Sequence, residues 1–223
     1  MGNFMSASDT QIRQFIIDAC IEMNNVGINQ GTSGNISVRH GKGMLITPTS
    51  TPYATLMPRD IVFMNWAGDA EGRLDASSEW RFHLDIFKAR PEVNAIVHAH
   101  PNYCTTIAIM GRKIPAIHYM IAVAGGSDIR CAPYATFGTS ELSVNAVNAL
   151  EGRKACLLEH HGMIAVGTSL DNAMWLAVEV ETLARQYHGC LQIGEPPLLS
   201  DEEIENVIGR MASYGLRDTG DAA

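Results

Sequence analysis

The sequence predicts an αβα layered domain around a mixed or mainly antiparallel sheet, and two observations carry that prediction. Short β-type runs outnumber the strands that strict strand–helix alternation would supply, and several of them follow one another through turns instead of helices. Amphipathic helical stripes stand at both ends of the chain and between the runs, which gives a sheet the helices it needs to be covered.

The elements follow in order. "SDTQIRQFIIDACIEMNNVG" sets Ile12, Phe15, Ile16, Ala19, Cys20 and Met23 at spacings of three and four, one apolar helical stripe, with Ser8 suited to cap its start and Gly27 its end. Glycine punctuation in "NQGTSGN" leads into two short strands, 36–39 and 44–47, joined by a turn over His40 to Gly43. "RDIVFMNWAGD" is a further strand closed by a Gly-Asp turn, and "SSEWRFHLDIFKARP" a helix with Ser77 or Ser78 as cap and Pro91 as stop. A strand over Ala95 to His98, a helix over Asn102 to Met110, a strand around Ile129 to Ala132 and a helix over Ser140 to Leu150 come next. "KACLLEHHGMIAVG" reads as two strands meeting near Gly162, and amphipathic helices over Leu170 to Ile193 and Ser200 to Tyr214 finish the chain. One domain is expected over residues 8–217, with 1–7 and 218–223 as flexible termini.

Composition narrows the function. With 223 residues, 46% of them hydrophobic, the chain is an ordinary globule able to bury a full core. A formal charge of −8 without a long basic run argues against a nucleic-acid or anionic-membrane surface, so an anionic substrate must be held by a local site. The five cysteines are scattered without C-x-x-C spacing and read as reduced thiols of a cytoplasmic protein. Neither a signal peptide nor a bilayer-length apolar run is expected.

The chemistry begins in "IVHAHPNY". Side chains alternate faces along a strand, so His98 and His100 point the same way with Ala99 turned aside, a chelating arrangement. In "LLEHHG", His160 and His161 face opposite sides of their strand, so only one of them can join the pair. A third imidazole completes a three-ligand catalytic zinc set, and Glu79 in "SSEW" offers an oxygen donor or base in the first turn of a helix. Asn102 stands where a metallo-β-lactamase-like H-x-H-x-D pattern needs aspartate, and the chain is short for an eight-stranded barrel. "GTSGN", "TPTS" and the pair Ser77–Ser78 are glycine- and hydroxyl-rich stretches whose backbone N–H groups suit phosphate; no Walker A or dinucleotide glycine pattern is present.

Nine stretches in order carry a resemblance: "GTSGNISVR", "MLITPT", "SSEWRFH", "VHAHPNYCT", "IPAIHYMIA", "CAPYATFGT", "LLEHHGMIA", "AMWLAVEVETLA" and "LSDEEI". From about Ile12 to Arg217 the chain resembles the class II aldolase and adducin family, most closely its zinc-dependent L-fuculose-phosphate aldolase branch. The resemblance implies one αβα domain with a largely antiparallel sheet, assembled as a homotetramer with active sites between subunits. It implies one Zn2+ per chain on His98, His100 and His161, joined by Glu79 when no substrate is bound. Phosphate of a small sugar substrate would sit among Gly34, Asn35, Thr49, Ser50, Ser77 and Ser78. Glu79 would move the proton at C3 and Tyr119, from the adjacent subunit, the proton at the C4 oxygen; metal Lewis acidity makes a Schiff-base lysine unnecessary. The products would be dihydroxyacetone phosphate and an aldehyde such as L-lactaldehyde, bound near Phe137, Met211 and Tyr214.

Two departures bear on the substrate. Ser50 replaces the glycine of "TPTG", and Met211 stands where an aromatic is expected, which keeps 5-deoxypentulose or 5-methylthiopentulose 1-phosphate as an alternative. Decarboxylases and epimerases of the family share the histidines, but the epimerases have aspartate at the position of Glu79, and a non-catalytic adducin-type association domain lacks the metal histidines. His83, His118 and His160 read as structural or as hydrogen-bond partners of site residues, and His40 and His188 as exposed.

Overall fold

A computed structural model describes residues 8–211. The predicted termini 1–7 and 218–223, and Tyr214 with the end of the last predicted helix, lie outside the described residues.

Helix α1 spans Asp9–Asn25, and its start is a full capping box in which Ser8 Oγ accepts from the Gln11 N–H while the Gln11 side chain accepts from the Ser8 N–H. Strands β1 (Asn35–His40), β2 (Gly43–Ile46) and β3 (Val62–Asn65) form a meander, extended by the two-residue β4 (Ala70–Glu71). Helix α2 (Trp80–Ala89) leads to β5 (Ala95–Ala99), helix α3 (Asn102–Ile109) and a 3-10 turn over Tyr119–Ala124. Then come β6 (Arg130–Ala132), α4 (Ser140–Ala149), β7 (Ala155–Leu158), β8 (Gly162–Gly167), α5 (Leu170–Leu191) and α6 (Asp201–Met211).

The eight strands form one sheet in the order β4-β3-β2-β1-β5-β8-β7-β6. Every neighbouring pair is antiparallel except β6 and β7, so the sheet is mixed with an antiparallel majority, within the mixed or mainly antiparallel sheet expected. The cause is local: α4 connects β6 to its neighbour β7, and a helical crossover returns the chain in the same direction.

Strand alternation divides the interior into two cores. Ala95, Val97 and Ala99 of β5 face a core built with α1, α3, α5 and α6, whereas Ile96 faces one built with α2 and α4. His98 shares the side of Ile96 and meets Phe82 of α2 edge-on at 5.3 Å. Arg39 of β1 ties α2 down, donating to the carbonyls of Phe87, Arg90 and Val93 around the helix end. That clamp fixes the helix whose other end carries Glu79.

The loop bearing Tyr119 is closed at its neck by reciprocal backbone hydrogen bonds of 2.9 Å between Ile114 and Ile129. Asp128 reinforces the neck, accepting from Lys113 at 2.9 Å on Oδ2 and from Arg153 at 2.8 Å on Oδ1. Burial alone would raise the Asp128 pKa, but its hydrogen bonds with Lys113 and Arg153 outweigh that and hold it below the ordinary carboxylate value. A depressed folded pKa stabilises the fold above the unfolded value and loses that contribution as pH falls through the folded one. Asp128→Asn is therefore expected to lower stability by about 1–3 kcal/mol near neutral pH. The gap between parent and variant should close as pH drops below about 4, and denaturant titrations across pH read it; a gap that widened in acid would contradict the assignment.

Candidate active site

Four side chains from three elements meet at the end of the two central strands. His98 and His100 come from the end of β5, His161 from the turn before β8, and Glu79 is the N-cap residue of α2. Their donor atoms all lie within 4.8 Å of one another. His98 Nε2 is 2.9 Å from His100 Nε2 and 3.1 Å from Glu79 Oε2, and His161 Nε2 is 3.1 Å from Glu79 Oε1. The three imidazole centroids are 4.8–4.9 Å apart.

Backbone requirements place them. Any Cβ at Gly162 would lie 2.4 Å from the Ala99 carbonyl, so only glycine lets β8 begin against β5 here. His160 takes the tight turn with a left-handed φ of 54°, which turns its ring toward Tyr134 and leaves His161 to join the cluster. The open choice between the two adjacent histidines is thereby resolved in favour of His161.

Ring nitrogens and carboxylate oxygens converge on one centre. His98 Nδ1 is 2.9 Å from the Met163 carbonyl, which can only accept, so Nδ1 carries a hydrogen and Nε2 is the ring nitrogen left to face the carboxylate. Glu79 Oε1 is buried and has no hydrogen-bond partner of adequate geometry despite the 3.1 Å approach of His161. Burial would raise the Glu79 pKa, but the imidazoles of His98 and His161 against it outweigh that and hold it well below the ordinary range. Burial first, and then the neighbouring imidazoles, push His100 down to about 3, so it is a neutral donor. A divalent cation satisfies such a set. Tetrahedral bonds of about 2.0–2.1 Å put donor atoms roughly 3.3 Å apart, close to the 2.9–3.1 Å of the His98–His100, His98–Glu79 and His161–Glu79 pairs.

Beside the cluster lies a cavity of about 430 Å³. Gly34, Asn35, Thr49, Ser50, Ser77 and Ser78 all line it, as do Glu79, His100, His161 and Phe137. Gly34 is compelled by close approach, since a Cβ there would stand 2.7 Å from the His98 carbonyl. Neither Ser77 nor Ser78 caps α2 as expected: the N-cap is Glu79, and Ser77 Oγ instead accepts from the Glu79 N–H at 3.3 Å. The attraction of the histidines turns Glu79 toward the cluster, and Ser77 is left to brace it.

Tyr119 is 45% exposed and does not line this cavity. Met211 packs on the α1/α3/α5 core next to the Tyr119 turn, also outside the cavity, and Tyr214 falls outside the described residues. Thr32, Ser33, Tyr134 and His160 line the cavity although sequence reasoning did not place them there. Thr32 and Ser33 belong to the quoted "GTSGN" loop and were legible from it. His40 and His188 are half-buried rather than exposed, against Asp9 and Tyr103. His118 is structural, its Nδ1 accepting from the Met120 N–H.

Ser50 has a left-handed φ of 50°, a conformation that glycine adopts freely and serine does not. Ser50→Gly should raise stability by about 0.5–1 kcal/mol, read as a higher denaturation midpoint at unchanged slope; a loss of stability would mean that the serine side chain holds the turn.

Comparison with known proteins now bears on these residues. A family model for the class II aldolase and adducin N-terminal domain matches residues 14–188. The 5-methylthioribulose-1-phosphate/5-deoxyribulose-1-phosphate aldolase of Rhodospirillum rubrum is 54% identical over 211 residues, 95% of this chain and 96% of that protein. The L-fuculose phosphate aldolase of Escherichia coli is 55% identical over 203 residues, 91% of this chain and 94% of its own. A solved L-fuculose 1-phosphate aldolase superposes with a TM-score of 0.89 at 41% identity, covering 95% of this chain and 100% of the other. Matched along most of its length by the family model and nearly end to end by these relatives, the chain belongs to the class II aldolase and adducin family.

Proposed function

We propose that this class II aldolase holds one zinc ion per chain and reversibly cleaves a ketose 1-phosphate of the L-fuculose 1-phosphate type to dihydroxyacetone phosphate and an aldehyde such as L-lactaldehyde. As a class II aldolase it is a carbon–carbon lyase acting on phosphorylated sugars. The observation that carries the finer reading is the convergence of three imidazoles and an ionised carboxylate beside a cavity lined with hydroxyls and glycine.

In this reading His98, His100 and His161 hold the ion, with Glu79 as fourth donor in the absence of substrate. When bound, zinc would supply Lewis acidity at the carbonyl end of the substrate and offset the negative charge that develops there. Gly34, Asn35, Thr49, Ser50, Ser77 and Ser78 hold the phosphate through hydroxyls, an amide and backbone N–H groups, with no lysine in the cavity lining. In cleavage, a base takes the proton of the C4 hydroxyl, the C3–C4 pair of electrons passes toward C2, and the carbon left at C3 receives a proton. Glu79 moves the proton at C3, and its buried, unpartnered Oε1 suits that task. Tyr119 serves the C4 oxygen. Because it lies exposed and outside the cavity of its own chain, it is assigned to the cavity of an adjacent copy in a homotetramer.

A second reading has a specific support. Met211 is flexible where an aromatic is expected, and the Rhodospirillum rubrum relative is named for 5-methylthioribulose 1-phosphate and 5-deoxyribulose 1-phosphate. The same machinery then releases a smaller or thioether-bearing aldehyde. Cytoplasmic placement belongs to the proposal too, resting on five cysteines that are all free thiols. No described helix is long and apolar enough to cross a membrane.

Two measurements test the reading. Glu79→Gln should slow proton exchange at C3 of dihydroxyacetone phosphate by ~10²–10⁴-fold while the fold is kept; exchange at the parental rate removes Glu79 from the chemistry. A panel of ketose 1-phosphates, followed by dihydroxyacetone phosphate release, should give activity with the L-fuculose or 5-substituted pentulose members. Met211 lies outside the cavity of its own chain and, like Tyr119, would serve that of an adjacent copy, so Met211→Phe should shift the ratio of their kcat/KM values by the equivalent of ~1–3 kcal/mol. Absence of release from every member would favour a decarboxylase or epimerase instead.

A further inference from the structure

We propose that His83 is a positioning residue for the reaction: as a neutral Nε2–H imidazole it locks the amide of Asn35, and Asn35 in turn orients the Glu79 carboxylate. This rests on the aldolase reading of the site and deepens it.

An ionised carboxylate only accepts hydrogen bonds, so the 2.9 Å contact between Asn35 Nδ2 and Glu79 Oε2 must have the amide N–H as donor. That fixes the other end of the amide. Asn35 Oδ1 then faces His83 Nε2 at 2.5 Å, and because a carbonyl oxygen cannot donate, Nε2 must carry the hydrogen. The remaining ring nitrogen, Nδ1, is an acceptor and takes the Ser37 hydroxyl hydrogen at 2.7 Å. The chain Ser37, His83, Asn35, Glu79 thus has a single polarity, every link donating toward the carboxylate.

Nothing else nearby can do this work. Ser37 and His83 are fully buried and Asn35 and Glu79 nearly so, which leaves no solvent to replace a lost bond. The His83 ring is held in plane by stacking on Phe82 at 4.6 Å and 25°. Burial, followed by the nearby His98, pushes the ring down to about 3, in keeping with a neutral imidazole. With the opposite tautomer, an Nε2 lone pair would face Oδ1, and the amide would relieve this by flipping its oxygen onto the carboxylate. Glu79 would then lose the one donor that separates its two oxygens, Oε2 held and Oε1 left without a partner. Asn35 also lines the cavity and sits opposite His98 across the β1–β5 pair, so the lock reaches the proposed phosphate end as well.

A buried histidine serving stability alone predicts different behaviour, and three readouts on the metal-loaded enzyme separate the two. Nitrogen-15 spectroscopy of His83 in the parent should find the hydrogen on Nε2; a hydrogen on Nδ1 overturns the proposal. His83→Phe keeps the ring stack but donates nothing, and should lower the kcat of proton exchange into dihydroxyacetone phosphate about 10- to 100-fold. KM should change less, and metal content should stay at one per chain. His83→Gln, whose amide can donate to Asn35, should recover most of the rate. Parental exchange in His83→Phe, or equal losses in both variants, overturns the proposal. If His83→Phe does not fold, the tautomer in the parent decides. Failure of the parent itself to exchange would count against the aldolase reading, while the tautomer would still judge the role of His83.

Discussion

The gathering of three imidazoles and a carboxylate at one largely buried point is the constraint on which the rest of this structure depends. Such a cluster persists only if the scaffold prevents it from spreading and a cation compensates it. The scaffold is the centre of the sheet. His98 ends β5 between β1 and β8, and close approaches at Gly34 and Gly162 bring both neighbours against that strand end without side chains in the way. Glu79 is supplied from the opposite direction by α2, whose far end is clamped to β1 by Arg39. A shift of β1 relative to β5 would therefore displace the carboxylate from the two histidines of β5.

The cavity inherits its division of labour from that arrangement. Loops preceding β1, following β2 and preceding α2 contribute hydroxyls and backbone N–H groups on one side, while the cluster occupies the other. Asn35 belongs to both, since it lines the cavity and donates to Glu79. The cavity wall and the orientation of the carboxylate are thus mechanically joined through one amide. The parts placed outside the cavity, Tyr119 and Met211, lie together where α6 packs against the 3-10 turn, so both belong to a separate surface of the chain.

Much of this was legible from residues alone. The period-two spacing of His98 and His100 put both on one face, and helix α1 announced itself through its apolar stripe and Ser8 cap, because these signals are local. The position of Glu79 was harder: capping preference points to a serine, and only the tertiary pull of the histidines makes the glutamate the N-cap. The left-handed φ at His160, in a residue that rarely adopts it, is imposed by the tight turn between β7 and β8, and no propensity reveals it. The single parallel pair follows from α4 joining adjacent strands, an adjacency that pattern cannot supply. His83 looked like any buried histidine, since its meaning lies in the direction of three hydrogen bonds.

Glu79, His98, His100 and His161 are proposed to hold one zinc ion together. X-ray absorption at the zinc edge of the purified, substrate-free protein tests it most directly. The account predicts one zinc per chain, a shell of nitrogen and oxygen donors at about 2.0–2.1 Å, the multiple-scattering signature of three imidazoles, and loss of one oxygen donor in Glu79→Ala. A sulfur shell, or the unchanged spectrum in His98→Ala and His161→Ala, would contradict it.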